Sequence, residues 1–184
     1  MSASSFEKLI DGFLYRADEP GLPGLQWLED APRPDEGAVE TPREYLAFQL
    51  TDETYAVPIE KVREIVKVPA LTEVPRAPKE LLGVMNLRGE VLPVYDVRAR
   101  LLLTTGIAAV TGPEETGPRA RIVLVRSDAG DAGILADGVE GVVRLLPSMT
   151  EGPPPGGTEK PFLVGLSRRG ERLYILLDVE KVLE

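Results

Sequence analysis

The feature of this sequence that most restricts its fold is a set of short β-strands that occurs twice. A strand, a turn and a second strand are predicted over residues 46–59, and residues 121–136 repeat that order. Residues 139–143 then correspond to residues 62–66, and residues 165–178 correspond to residues 83–96. A repeat of roughly eighty residues built from short strands is typical of two small β-barrels related by duplication. We therefore predict an all-β fold.

The central element of the first repeat is a hairpin at residues 82–98, in which two β-rich segments flank a tight turn. Gly89 is suited to this turn because it adopts a positive φ without steric cost. Pro93 has no amide proton to donate, so its strand is expected at a sheet edge or at a bulge. Arg88 is either a surface charge or one arm of a fixed ion pair, and spacing alone leaves both open.

Short helices are predicted around these strands. Residues 60–68 form either a helical turn that leads into a strand or one long strand, and further helical turns are predicted at residues 78–82, 96–103 and 178–183. Near the N-terminus, Ser4 and Glu7 have the spacing of a capping box. The helix that they begin has one apolar face, made of Phe6, Leu9, Ile10, Phe13 and Leu14.

An acidic, Pro-rich linker follows at residues 31–43, so we divide the chain into an N-terminal extension, residues 1–44, and one domain, residues 45–184. The extension has two alternative interpretations. Its helix either folds back on the domain or docks a partner by laying its apolar face in a groove.

Composition excludes several classes of function. Thirty acidic against 21 basic residues give a net charge of −9, which disfavours nucleic acid and anionic membrane surfaces as partners. No apolar run approaches the roughly 20 residues of a membrane-spanning helix, so we expect no membrane insertion and a cytoplasmic protein. The chain has no Cys and no His, and it therefore lacks a thiolate nucleophile and the most common general base and metal ligand.

The remaining candidates for chemistry are carboxylate pairs in turns. Asp52 with Glu53, Glu114 with Glu115, and Asp128 with Asp131 are of the type that binds hard cations, but solvated turn residues have the same pattern. We predict no metal, no cofactor and no catalytic residue, and hence that the protein is not an enzyme. A small-molecule-binding or catalytic β-barrel is the competing hypothesis, and the missing His and Cys disfavour it.

One ordered set of motifs resembles the signature of the CheW family of chemotaxis coupling proteins. Residues 83–98 read Gly-Val-Met-Asn-Leu-Arg-Gly-Glu-Val-Leu-Pro-Val-Tyr-Asp-Val-Arg. The other segments that carry the resemblance are Val62-x-Glu64-Ile65, Val74-Pro75-x-Ala77-Pro78, residues 133–139 and residues 176–183. The resemblance spans residues 45–184 in order, which is far more specific than any single short motif.

The resemblance implies a fold and a function. The fold is a pair of intertwined five-stranded SH3-like β-barrels. The function is a non-enzymatic scaffold in bacterial chemotaxis signal transduction, which bridges the cytoplasmic tip of methyl-accepting chemoreceptors to the regulatory domain of the histidine kinase CheA, within membrane-associated receptor arrays.

The resemblance also implies site residues. It makes Glu64 and Arg88 a paired carboxylate and guanidinium beside a receptor-binding groove, and apolar positions of the family correspond to Val62, Ile65, Val68 and Leu87. Core packing is an equally good role for these apolar residues, and strand alternation requires about half of them to face inward. Gly83, Asn86 and Gly89 match turn positions whose physical role is backbone geometry.

The N-terminal extension is outside the resemblance and leaves a second hypothesis. The chain is then a CheW-like adaptor of a specialised chemosensory pathway, in which residues 1–44 dock another partner. The intact Asn86-Leu87-Arg88-Gly89 turn favours the general coupling protein.

Overall fold

The computed structural model describes residues 40–101, 103, 114, 116–153 and 161–184. The predicted amphipathic helix and most of the predicted linker lie outside the described residues. The strands are β1 (Arg43–Leu50), β2 (Glu53–Pro58), β3 (Val62–Lys67), β4 (Leu81–Leu87), β5 (Glu90–Tyr95), β6 (Arg121–Ser127), β7 (Gly130–Ala136), β8 (Gly138–Leu145), β9 (Thr150–Glu151), β10 (Leu163–Arg169) and β11 (Arg172–Leu177). Short 3-10 turns at Ile59–Lys61 and Pro147–Met149 and one α-helix, α1 (Val179–Leu183), are also present.

The described strands form two sheets, and each sheet takes strands from both repeats. One sheet has six strands in the order β8-β1-β2-β11-β10-β9, and the other has five in the order β3-β6-β7-β5-β4. Neighbouring strands are antiparallel except β2 with β11 and β5 with β7. The first sheet exceeds the expected five strands because the two-residue strand β9 pairs with β10.

The central strands are buried on both faces. In β6, the side chains of residues 122–125 are all fully buried. Successive side chains of a strand point to opposite faces, so each face of β6 must pack against a separate core. Val123 and Val125 belong to one cluster of buried residues, and Ile122 and Leu124 belong to another.

Three apolar clusters explain this pattern in the described part of the chain. The largest joins the two sheets, since it contains Phe48 and Val57 of the six-stranded sheet together with Val123 and Ile134 of the five-stranded sheet. A second cluster lies on the opposite face of the five-stranded sheet and includes Met85, Val94, Ile122 and Leu124. A third lies on the opposite face of the six-stranded sheet and includes Ala47, Ala56, Tyr174 and Leu176.

Two glycines at equivalent positions of the repeats support the duplication inferred from the sequence. The β4–β5 pairing shifts register between Leu81 and Gly83, and the β10–β11 pairing shifts in the same way between Leu163 and Gly165. A Cβ atom on Gly83 would lie 2.6 Å from the Thr72 carbonyl oxygen, and one on Gly165 would clash with that of Glu151. Both glycines therefore allow an outer segment to approach the strand closely.

Two of the predictions about helices agree with the structure. Residues 59–61 form a 3-10 turn that leads into β3, which is the first of the two alternatives given for this segment. Helix α1 is present, and the Asp178 carboxylate caps it by accepting hydrogen bonds from the amides of Glu180 and Lys181.

At two segments with predicted helical structure, the described residues form only single turns. At residues 78–82, a single turn closes with a 3.0 Å hydrogen bond from Leu81 N to Pro78 O, and β4 begins at Leu81. Residues 98–101 form a turn rather than a helix. The Asp96 carboxylate accepts a 3.0 Å hydrogen bond from the Arg98 amide, as an N-cap does, and Leu101 N donates to Val97 O at 3.0 Å. The helical spacing does not continue in the described residues, since Leu103 N donates to Arg98 O instead.

Of the two positions expected for Pro93, the sheet edge is wrong, because β5 lies between β4 and β7. The alternative, a bulge, is present next to Pro93, since the β4–β5 pairing shifts register opposite Val94 and Tyr95. The pairing with β7 covers only Val94 and Tyr95. Pro93 lies just outside that pairing, so its missing amide proton costs no hydrogen bond to β7.

Candidate functional site

The turn between β4 and β5 places Arg88 at one end of the five-stranded sheet. Arg88 has a φ of 55° and Gly89 a φ of 91°, the pair of positive values that a two-residue hairpin turn needs. The Asn86 side-chain oxygen accepts a 3.0 Å hydrogen bond from the Gly89 amide and so closes the turn. Arg88 is held in a conformation that few residues other than glycine adopt.

Glu64 and Arg88 are in contact, since Glu64 Oε2 lies 3.1 Å from Arg88 Nη1. The Arg88 side chain is 77% exposed and that of Glu64 is 25% exposed. An ion pair with one exposed partner contributes about 0.2–1 kcal/mol to stability. The pair is therefore too exposed to be a main stabilising element of the fold, and its guanidinium is accessible to a partner.

Arg63, the neighbour of Glu64, belongs to a second charged group at the same end of the sheet. Its guanidinium lies 2.7 Å from Glu90 Oε2 and 2.6 Å from Asp131 Oδ2. Hydrogen bonds to Glu90 and Asp131 raise the pKa of the Arg63 guanidinium. Arg63 falls within the register shift between Val62 and Glu64 in the β3–β6 pairing, and it thus connects β3 to β5 and β7.

The four apolar residues predicted at the site divide among three surroundings. Val68 is buried, and Leu87 packs against the same cluster on the outer face of the five-stranded sheet. Val62 packs against the cluster between the sheets. Ile65 is 41% exposed. The structure thus brings Glu64 and Arg88 together, and Ile65, which follows Glu64 in β3, is the exposed residue among the four apolar ones.

Ile65 lines a groove between the edges of the two sheets, with a volume of about 290 Å³. Sequence reasoning identified only Ile65 among its residues, because the others come from β1, β6 and β8 and from the segment before β6. These are Gln49, Arg119, Arg121, Gly138, Val139 and Glu140. The groove therefore has an apolar part next to two guanidinium groups.

A charge network around the buried Arg98 was also missed by sequence reasoning. The Arg98 side chain is only 3% exposed, and its Nη2 lies 2.7 Å from Oδ1 of Asp137, whose side chain is 44% exposed. The other Asp137 oxygen accepts a 2.7 Å hydrogen bond from the Thr51 amide, and the Asp137 amide donates to Gln49 O at 2.9 Å. Asp137 joins β7 to β8, so this network fixes the crossover from one sheet to the other directly beside the groove.

Asp96 completes the network. Burial raises the pKa of the Asp96 carboxyl, while the Arg98 amide and guanidinium act in the opposite direction. The Arg98 Nε atom has no hydrogen-bond partner among the described residues. Because the Arg98 charge is buried, removing its partner is costly.

Two features of other functional classes are absent from the described residues. The Asp and Glu residues in the described ranges form no group of three or more that is placed to hold a metal ion. None of the helices in the described part of the chain has the length and apolar character needed to span a bilayer.

The sequence matches one known domain family. The model of the CheW-like domain family matches residues 44–184. The chemotaxis protein CheW of Helicobacter pylori is 31% identical over 142 residues, which are 77% of this chain and 81% of that protein. CheW of Klebsiella aerogenes is 32% identical over 143 residues, with the same coverage of 77% and 81%.

A solved structure agrees with these sequence matches. The scaffolding protein TtCheW of Thermoanaerobacter tengcongensis superimposes with a TM-score of 0.68 at 28% identity, over 78% of this chain and 93% of that one.

A further relative is similar in sequence. Protein FrzA of Myxococcus xanthus is 36% identical over 115 residues, covering 62% of this chain and 67% of FrzA.

Proposed function

This chain belongs to the family of CheW-like domains, and we propose that it couples methyl-accepting chemoreceptors to the histidine kinase CheA. The family match and the named relatives support a chemotaxis scaffold of the CheW type. The observation that carries the proposal is that residues 44–184 match the family along nearly its whole fold, including 93% of a scaffolding protein.

We propose that the receptor tip contacts the end of the five-stranded sheet and the adjoining groove. In this assignment Arg88 and Glu64 supply the polar contacts and Ile65 the exposed apolar contact. Val62, Val68 and Leu87 pack in or against the apolar clusters beneath these contact residues. Gly83, Asn86 and Gly89 hold the β4–β5 turn in the shape that presents Arg88.

We further propose that the protein is not an enzyme and that it needs no cofactor. The absence of His and Cys from the whole sequence supports this, because acid–base and nucleophilic catalysis rely most often on those residues. Its place in the cell would be the cytoplasm, at receptor arrays, where many weak contacts act together.

Each sheet is proposed to close as an SH3-like barrel, with residues 45–184 as one domain. Two observations support closure. Thr72 pairs with Val84 at the outer edge of β4 through hydrogen bonds of 2.8 and 2.9 Å. Glu151 pairs with Leu166 at the equivalent edge of β10. The segment after the first edge strand of each sheet thus returns to the opposite edge.

The test is binding of the purified protein to the CheA regulatory domain and to a receptor cytoplasmic fragment from the same organism, with and without residues 1–44. Binding of both partners that survives the deletion supports a general coupling protein. Loss of function upon deletion, with CheA binding intact, supports instead the specialised adaptor whose extension docks another partner. If neither form binds CheA, the proposed function is wrong.

A further inference from the structure

The groove lined by Ile65 carries positive charge, which is unusual for an acidic protein. Arg119 and Arg121 both line it, next to the apolar side chains of Ile65 and Val139, in a chain whose net charge is −9. Arg121 begins β6, and its backbone pairs with Lys67 of β3. Directly opposite residues of an antiparallel pair share one face, so three cations lie along this edge.

No carboxylate in the described part of the chain neutralises these cations. The ion pairs present among the described residues involve neither Lys67 nor Arg119 nor Arg121. Like charges directly opposite each other in a sheet are destabilising. The fold thus contains a repulsive pair at this edge that nothing in the described part of the chain offsets.

The acidic residue that lines the groove is already engaged. Glu140 Oε2 lies 2.9 Å from Arg172 Nη1, and Glu140 Oε1 accepts a 3.3 Å hydrogen bond from Gln49 Nε2. Arg121 donates to the carbonyl oxygens of Pro118 and Ala120, which fixes its position without neutralising its charge. The groove therefore presents positive charge beside apolar surface.

We propose that this groove binds an acidic, amphipathic segment of the receptor tip, with its apolar stripe on Ile65 and Val139 and its carboxylates on Arg119 and Arg121. This inference rests on the proposed function and adds the chemistry of the segment that is recognised. Charge complementarity favours a carboxylate-bearing occupant, because a cationic segment would add to the repulsion among Lys67, Arg119 and Arg121.

The test is the affinity of the full chain for a receptor cytoplasmic fragment, measured by calorimetry. Arg119→Glu is the test variant, since Arg119 is exposed and makes no ion pair in the described structure. Arg168→Glu is the matched control, because Arg168 is exposed on β10 of the six-stranded sheet, outside both the groove and the end of the five-stranded sheet that carries Arg88. We expect the dissociation constant to rise about tenfold for Arg119→Glu and by less than about twofold for Arg168→Glu.

Salt dependence and charge reversal complete the test. Raising the salt concentration weakens binding of the wild-type chain more than binding of Arg119→Glu, since screening acts on the proposed ion pairs. Replacing a receptor carboxylate in the bound segment by lysine restores affinity for Arg119→Glu. Both variants should unfold at the wild-type temperature, which excludes a folding defect as the cause.

Three outcomes would overturn the inference. If wild type binds the receptor fragment and the two variants bind it equally well, the groove assignment is wrong while the proposed function stands. If wild type binds no receptor fragment, the proposed function fails as well. If wild type self-associates at these concentrations and Arg119→Glu does not, the groove binds a second copy of the chain.

Discussion

Arg98 Nη2 lies 2.7 Å from Asp137 Oδ1, and this contact links the segment after β5 to the crossover between the two sheets. Asp137 also accepts the Thr51 amide proton from the β1–β2 turn. One carboxylate thus holds elements of both sheets. Since Gly138 and Val139 line the groove, the same contact sets the position of one of its walls.

Asp137→Ala should lower the free energy of unfolding by about 2–4 kcal/mol, because it leaves the buried Arg98 charge without its closest partner. Urea denaturation measures this change. Glu44→Ala is the matched control, since the Glu44–Arg144 pair has a similar 2.9 Å distance but both side chains are exposed. A control loss of at most about 1 kcal/mol is expected, and equal losses in both variants would contradict the role of burial.

Gly83→Ala should destabilise the fold more than Gly89→Ala. Both residues have positive φ, but a Cβ on Gly83 would lie 2.6 Å from Thr72 O, whereas a Cβ on Gly89 has no neighbour within 4 Å. We expect losses of about 2–3 kcal/mol for Gly83→Ala and about 1 kcal/mol for Gly89→Ala. The comparison is made by denaturation. If Gly89→Ala costs as much as Gly83→Ala, the close approach of Thr72 is not what requires the glycine.

Glu180 should contribute to the pH dependence of stability. Its carboxylate lies 2.6 Å from Lys61 Nζ and accepts the Asp128 amide proton, and these contacts lower the pKa of Glu180 in the folded state, the Lys61 contact most. A lowered folded-state pKa means that the stabilisation is present above the ordinary pKa and is lost as pH falls through the folded-state value. Wild type should therefore exceed Glu180→Gln in stability near pH 7.

The difference between wild type and Glu180→Gln should shrink in acid, as measured by urea denaturation over a pH series. Glu171→Gln is the control, because Glu171 is exposed and forms no ion pair in the described structure. A difference that stays constant from neutral to acidic pH would show that Glu180 acts through packing rather than through its charge.

Arg88→Ala and Glu64→Ala should each weaken receptor binding about fivefold while changing the free energy of unfolding by less than about 1 kcal/mol. The exposure of Arg88 and the 3.1 Å contact with Glu64 are the reasons. Calorimetry with a receptor fragment measures the first quantity and denaturation the second. Arg144→Ala, which removes an exposed pair elsewhere, is the control. Normal receptor binding by either site variant would contradict the site assignment.

Local features of the fold were predictable from the sequence pattern and the Glu64–Arg88 contact from the family resemblance, whereas the other long-range contacts were not. Alternation of apolar residues and the turn residues located the paired strands, because both signals act within a few residues. The exchange of strands between sheets has no such local signal. Arg98 and Asp137 are 39 residues apart, and Arg63 and Asp131 are 68 apart; only the topology brings them together.

The repeats also differ in a way that the sequence pattern concealed. Arg63 pairs with Glu90 in the first repeat, and at the equivalent positions of the second repeat Glu140 pairs with Arg172, with the charges exchanged. The position of Glu64 is taken by Gly141, so the second repeat lacks a counterpart of the Glu64–Arg88 pair. The proposed site is thus specific to the first repeat although the backbone pattern is shared.

The most direct test of coupling is a bridging measurement. The CheA regulatory domain is immobilised, and retention of a receptor cytoplasmic fragment is measured with and without this protein. The account predicts retention only when the protein is present, and a reduced amount with Arg88→Ala. Retention that is the same without the protein, or absent with it, would contradict the proposal that this chain joins receptor to kinase.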